Sequence, residues 1–228
     1  MVFLILAAIL TLLVYLPSLW VRHVMRRYSR ELPDLPGTGG ELAEHLIQRF
    51  ALDGIRVEQT DPLRDHFDPS GPAVRLSPAN YNGRSLTAVA VATHEVGHAM
   101  QFHRNERIFQ LRKRYLPTAH ALGQAGIAVM LAIPLFAVVL RVPWMFGLLI
   151  GLSLLLQLAG ALTYLIVLPE EWDASFNKAL PILIEGEYVS RKQLPAVRKV
   201  LRAAALTYFA SALANMLNIG RWFLLLRR

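Results

Sequence analysis

Long apolar runs separated by two polar stretches dominate this chain. Residues 2–20 (VFLILAAILTLLVYLPSLW) carry no charge, over a length sufficient to cross a hydrocarbon core of about 30 Å at about 1.5 Å per residue. No basic region precedes this run and no small-residue cleavage site follows it before Arg22, Arg26 and Arg27, so it is expected to be a transmembrane signal anchor rather than a cleaved signal peptide. Two further runs, about 119–140 and 144–168, are joined by the short turn Arg141, Val142, Pro143 and predict a hairpin of two spans, the first kinked at Pro134. A fourth segment, roughly 203–221, is rich in Leu, Ala and aromatic residues and ends with Arg221 and Trp222. It suits either a last transmembrane helix or a membrane-associated core helix.

The polar stretches, 21–118 and 169–202, have the periodicity of a folded domain. Thr38 and Glu41 have capping-box spacing ahead of Leu42, Leu46, Ile47 and Phe50, with Gly54 as a stop, which predicts an amphipathic helix over 39–53. Residues 55–59 and 73–77 alternate as strands do, with turn residues Pro69, Ser70 and Gly71 between them and Asn82-Gly83 beyond. Ser85 then caps a helix expected from Leu86 to about His103. The chain thus divides into an anchor (1–20), a first polar part (21–118), a hairpin (119–168), a second polar part (169–202) and a terminal helix (203–228).

Composition sharpens this division. Hydrophobic residues make up 54% of the 228, charged residues only 18%, and the mean hydropathy is +0.39, values foreign to a water-soluble domain. The net charge is +8, and the Lys and Arg residues lie mostly in the polar parts: 14 in 21–118 and 6 in 169–202, of 24 in all. By the positive-inside bias both parts are expected on the cytoplasmic side, and the basic excess needs no nucleic-acid partner. With no cysteine, disulfides and thiolate metal sites are excluded, and a metal has to be held by nitrogen and oxygen.

The helix after Ser85 carries His94-Glu95-Val96-Gly97-His98. Two histidines four residues apart share one helical face and can converge on one zinc, and the glutamate beside the first can take a proton from water. A catalytic zinc has three protein ligands and an open position. The second polar part opens with Glu170, Glu171 and Asp173, three candidates for the third ligand.

Asp65-His66-Phe67-Asp68-Pro69, Ala73-Val74-Arg75-Leu76-Ser77, Tyr81-Asn82-Gly83-Arg84-Ser85, His94-Glu95-Val96-Gly97-His98-Ala99-Met100-Gln101, Glu171-Trp172-Asp173-Ala174-Ser175 and Ala196-Val197-Arg198-Lys199-Val200-Leu201 resemble, in order and over essentially the whole chain, the YugP-like family of bacterial membrane zinc metallopeptidases. The general plan is similar to the HtpX and CAAX prenyl protease type of gluzincin. That resemblance implies an E-x-x-A glutamate as third ligand, which falls on Glu171, and one zinc ion per chain held with His94 and His98, with Glu95 as general base. It also implies a substrate-binding edge strand, for which Ala73, Val74, Arg75, Leu76 and Ser77 fit. Where the HtpX-type motif continues with Asp this chain has Ser175, and Asp173 is the nearest replacement to support a ligand histidine. His66 and Arg198, and Tyr208 in the likewise shared Ala203-Ala204-Ala205-Leu206-Thr207-Tyr208, are candidate oxyanion donors.

The expected protein is an α-helical integral membrane protein with about four transmembrane helices and a small α+β gluzincin-like zinc metalloprotease domain on the cytoplasmic side. It belongs in a bacterial inner membrane, and its substrates are peptides or proteins, above all membrane proteins, with membrane partner proteins as further candidates. The alternatives are a scaffold stapled by structural zinc, which needs a fourth ligand such as His66 or Asp173, and a zinc hydrolase acting on lipids.

Overall fold

The computed structural model describes residues 2–140 and 143–216. In order these form α1 (Val2–Arg27), α2 (Gly39–Arg49), strands β1 (Arg56–Gln59), β2 (His66–Asp68) and β3 (Ala73–Leu76), α3 (Pro78–Tyr81), α4 (Leu86–His103), α5 (Phe109–Leu140), α6 (Pro143–Trp172), a π-helix (Asp173–Ala179), α7 (Leu180–Glu185) and α8 (Leu194–Met216). The chain separates into two compact units. One lies within Met1–Leu19, Leu111–Leu168 and Tyr208–Arg228; the other comprises Trp20–Gln110 and Pro169–Thr207.

The first unit is built from apolar helices. Among the described residues, Phe109–Phe136 and Trp144–Glu185 are long and apolar enough to cross a membrane, and only 17% and 22% of their apolar windows are buried within the chain. Leu135, Leu148 and Leu155 stand exposed, the inverse of a soluble core helix and the arrangement a lipid solvent favours. Small residues hold the hairpin together. A Cβ on Gly126 would meet Gln157 Cγ at 2.6 Å and one on Gly160 would meet the Ala119 carbonyl at 2.8 Å, while Ser153 Oγ donates to the Gly126 carbonyl at 2.8 Å; such close backbone approach is the usual basis of helix association in lipid. The expected N-terminal span falls within α1, and the expected fourth span begins within α8. Residues 217–221 of that segment, with Arg221 and Trp222, lie outside the described residues, as do Arg141 and Val142 of the hairpin turn.

The second unit is the polar domain. Its α2 begins on the expected capping box: Thr38 Oγ1 accepts from the Glu41 amide at 3.2 Å and Glu41 returns a carboxylate to the Thr38 amide at 2.7 Å. The helix ends at Arg49, earlier than Gly54, because Ala51 already turns into the left-handed region (φ 48°). Ser85 caps α4 through the Ala88 amide at 3.1 Å, and Leu86 through Gln101 are all buried.

The sheet corrects one expectation. Its order is β1-β3-β2, with β3 parallel to β1 and antiparallel to β2. Ala73, Val74, Arg75 and Leu76 are therefore the central strand, bonded on both sides, and Ser77 leaves it as the cap position of α3. None of the five is free to receive a substrate strand. The edges are β1 and β2. The β2 strand is three residues long, too short to show alternation, and it pairs with β3 through the Pro69, Ser70, Gly71 turn. Its Phe67 packs against Phe102 of α4, ring centroids 5.3 Å apart, which seats the sheet on the helix that carries the metal-binding pattern.

Candidate metal centre

Three side chains from two distant segments meet inside the second unit. His94 Nε2 and His98 Nε2 are 3.2 Å apart. The Glu171 Oε2 lies 3.2 Å from the second and 3.3 Å from the first. All three residues are at most 3% exposed. Four ligands around a tetrahedral zinc at about 2.0–2.1 Å stand about 3.3 Å from one another, so these three atoms fit three corners of such a site.

The packing that produces this meeting is local. Gly97 lies between the two histidines on α4, where a Cβ would come within 2.8 Å of the Ala174 carbonyl oxygen and 3.2 Å of its Cα. Glycine thus lets the π-helix lie directly against α4. Pro181 has no amide hydrogen with which to continue the ladder, and it falls just after the π-helical turns in α7. Glu171 and Ser175, four residues apart, approach His94 from opposite ring nitrogens.

The outer hydrogen bonds fix both tautomers. Ser175 Oγ donates its one hydrogen to the Leu201 carbonyl at 3.0 Å, so toward His94 Nδ1, 2.9 Å away, it can only accept. His94 therefore carries its hydrogen on Nδ1. His98 Nδ1 faces two acceptors, Gln101 Oε1 at 2.9 Å and Glu170 Oε1 at 3.2 Å, and is likewise the protonated nitrogen. Both Nε2 atoms then present lone pairs to a carboxylate oxygen at 3.2–3.3 Å. Three buried acceptors aimed at one point make physical sense around a cation.

Burial pushes the Glu95 carboxyl above its ordinary value, with the two histidines acting in the opposite sense and the charges of Glu171 and Asp65 adding to the rise. A carboxylate with a raised proton affinity beside a metal centre is suited to general base work.

The other candidates are distributed differently. Glu170 is fully buried and faces the Nδ1 side of His98, not the point where the Nε2 atoms converge. Asp173 accepts from Gln101 Nε2 at 2.9 Å and from Asn177 at 2.9 Å and pairs with Lys178. Ser175 itself supports the ligand histidine, in place of the expected Asp173. His66 Nδ1 bonds the Arg64 carbonyl at 2.7 Å, Arg198 is exposed on α8, and Tyr208 lies under the Arg112 guanidinium at 4.9 Å. Gln101 and Lys178 escaped the sequence reading, although Gln101 stands three residues beyond His98 on one helix face, a spacing that signals contact.

His94, His98 and Glu171 thus form a group able to hold a metal ion, in a chain whose described residues include two apolar helices long enough to cross a membrane. The family described as "Putative neutral zinc metallopeptidase" matches residues 2–227, and the chain belongs to it. It is 33% identical over 207 residues, 90% of its own length and 88% of the relative's, to the "Putative membrane protease YugP" of Bacillus subtilis (strain 168). No solved structure matches.

Proposed function

We propose that this protein is a multi-pass membrane zinc endopeptidase whose catalytic domain faces the cytoplasm of a bacterial cell and acts on membrane proteins or their flanking segments. The observation that carries the proposal is the convergence of His94 Nε2, His98 Nε2 and Glu171 Oε2 beside a buried Glu95. The name of the Bacillus relative supports the membrane setting, and the concentration of Lys and Arg in the polar parts supports the cytoplasmic side. A lipid bilayer is then its permanent surrounding, and no nucleic acid enters its function.

Bound zinc supplies Lewis acidity toward a scissile carbonyl and toward water. His94, His98 and Glu171 would hold it, Ser175 and Gln101 fix the two imidazoles, and Glu95 would accept a proton from water at a carboxylate oxygen and deliver it to the leaving nitrogen. With β3 enclosed, an extended peptide has β2 as an available sheet edge on the side packed against α4, where backbone pairing tolerates many sequences.

A zinc-stapled scaffold needs a fourth protein ligand. Among the described residues the donor group consists of His94, His98 and Glu171, which favours the open position of a catalytic site. The test is cleavage of an unfolded model protein by purified wild type and Glu95→Gln. Zinc-dependent cleavage that disappears in the variant while zinc stays bound is expected; undiminished cleavage by Glu95→Gln would remove the general-base assignment.

A further inference from the structure

Gln101 is fully buried, and its amide nitrogen has two partners, the Glu170 carbonyl oxygen at 3.0 Å and Asp173 Oδ2 at 2.9 Å. Both can only accept, so the amide nitrogen must face them and Oε1 must face His98. A flipped amide would place N–H hydrogens against His98 Nδ1. The amide would then compete as a donor at Nδ1, against the pull of Glu170 Oε1 at 3.2 Å, and favour the tautomer with its hydrogen on Nε2, where the metal binds. Of the two acceptors that prevent the flip, the backbone carbonyl is fixed by its helix. Asp173 is a side chain and has to be held.

Lys178 holds it. Its ammonium group pairs with Asp173 Oδ2 and reaches Glu106 Oε2 at 2.9 Å, with the lysine side chain only 10% exposed. Asp173 and Lys178 are five residues apart. At 3.6 residues per turn, five residues of α-helix would rotate them about 140° apart, whereas a π-helix bonds i to i+5 and stacks such residues on one face. The π-helix Asp173–Ala179 therefore does more than follow Glu171: it brings the lysine onto the carboxylate that orients the amide.

We propose that Lys178 is a positioning residue of the metal centre, acting through Asp173 and Gln101 to keep His98 in the tautomer that offers Nε2 to zinc. The inference rests on the zinc reading of His94, His98 and Glu171. Its contact with Glu106 supplies the control, because that side of the ammonium group ties the loop after α4 to the π-helix without touching the relay.

The experiment uses the full chain in detergent, with zinc affinity measured by chelator competition and the histidine tautomers of metal-free protein read from the ¹⁵N spectrum. Lys178→Met is expected to weaken zinc binding about tenfold or more, the usual cost of losing an outer partner, and to shift His98 away from the Nδ1–H form. Lys178→Arg is expected to restore both, and Glu106→Gln to change neither. Wild-type affinity and tautomer in Lys178→Met would overturn the proposal, as would Glu106→Gln weakening zinc equally, which would make Lys178 a staple between segments. If Lys178→Met does not fold, Asp173→Ala removes the same acceptor and leaves Lys178 with Glu106, and the same two readouts decide. Absence of zinc from wild type would refute the metal reading alone, since the tautomer spectrum still tests the relay.

Discussion

Replacing Ser175 by alanine removes a single oxygen from between His94 and α8, and its cost follows from the contacts. The Leu201 carbonyl lies inside α8 and keeps its helical bond, so it loses little. The His94 Nδ1–H, buried and 2.9 Å from Ser175 Oγ, loses its acceptor, and a buried donor left in this state costs about 1–3 kcal/mol. The imidazole can escape by moving its hydrogen to Nε2, but it then has to surrender that hydrogen before zinc can bind. Either way the penalty reaches the metal. Zinc affinity should fall about 10- to 100-fold, equivalent to about 1.4–2.8 kcal/mol. Chelator competition at fixed pH measures the fall, and thermal melting of the metal-free protein checks that the domain stays folded. Ser175→Asp is a sharper variant: it keeps an acceptor for His94 but loses the hydrogen given to Leu201 and sets a carboxylate against that carbonyl, so it should not rescue wild-type stability. Zinc affinity unchanged in Ser175→Ala would refute the tautomer reasoning.

Further outcomes follow from the same contacts. Gly97→Ala puts a Cβ 2.8 Å from the Ala174 carbonyl oxygen; forcing α4 and the π-helix apart should cost about 1–3 kcal/mol and most of the zinc, measured by melting and elemental analysis. Zinc at a thousandfold excess over its dissociation constant should stabilise the protein by about 4 kcal/mol, an increment that Glu171→Ala should lose. Asp68 has its carboxyl held below the ordinary aspartate value, first by the Ser70 amide and then, against burial, by Arg75. Because the folded value is depressed, its stabilisation is present above the unfolded value near about 3.9 and is lost as pH falls through the folded one. Asp68→Asn should therefore lower stability at neutral pH and narrow its difference from wild type in acid melts.

Much of this domain is legible in local sequence because its signals are local. The capping box at Thr38 and the cap at Ser85 need only neighbours within one turn, and the i, i+4 pair His94 and His98 needs only the helix. The choice among Glu170, Glu171 and Asp173 is not local. Adjacent helix positions differ by about 100° of rotation, and which one faces α4 depends on how closely Gly97 lets Ala174 approach. Spacing alone left these acids equal, and family resemblance singled out Glu171. The strand order was hidden for a related reason: β2 is too short to announce itself, and without it β3 passes for an edge. The π-helix escaped as well, since nothing in the run from Asp173 to Ala179 distinguishes it from an α-helix before it packs on α4. The supporting roles of Ser175, Gln101 and Lys178 depend on that packing.

The most direct test of the central claim is the zinc content, by elemental analysis, of purified wild type and Glu171→Ala. The geometry of His94, His98 and Glu171 predicts close to one zinc per chain in wild type and close to none in the variant. A full complement of zinc in Glu171→Ala would contradict it, and the third ligand would have to be another residue.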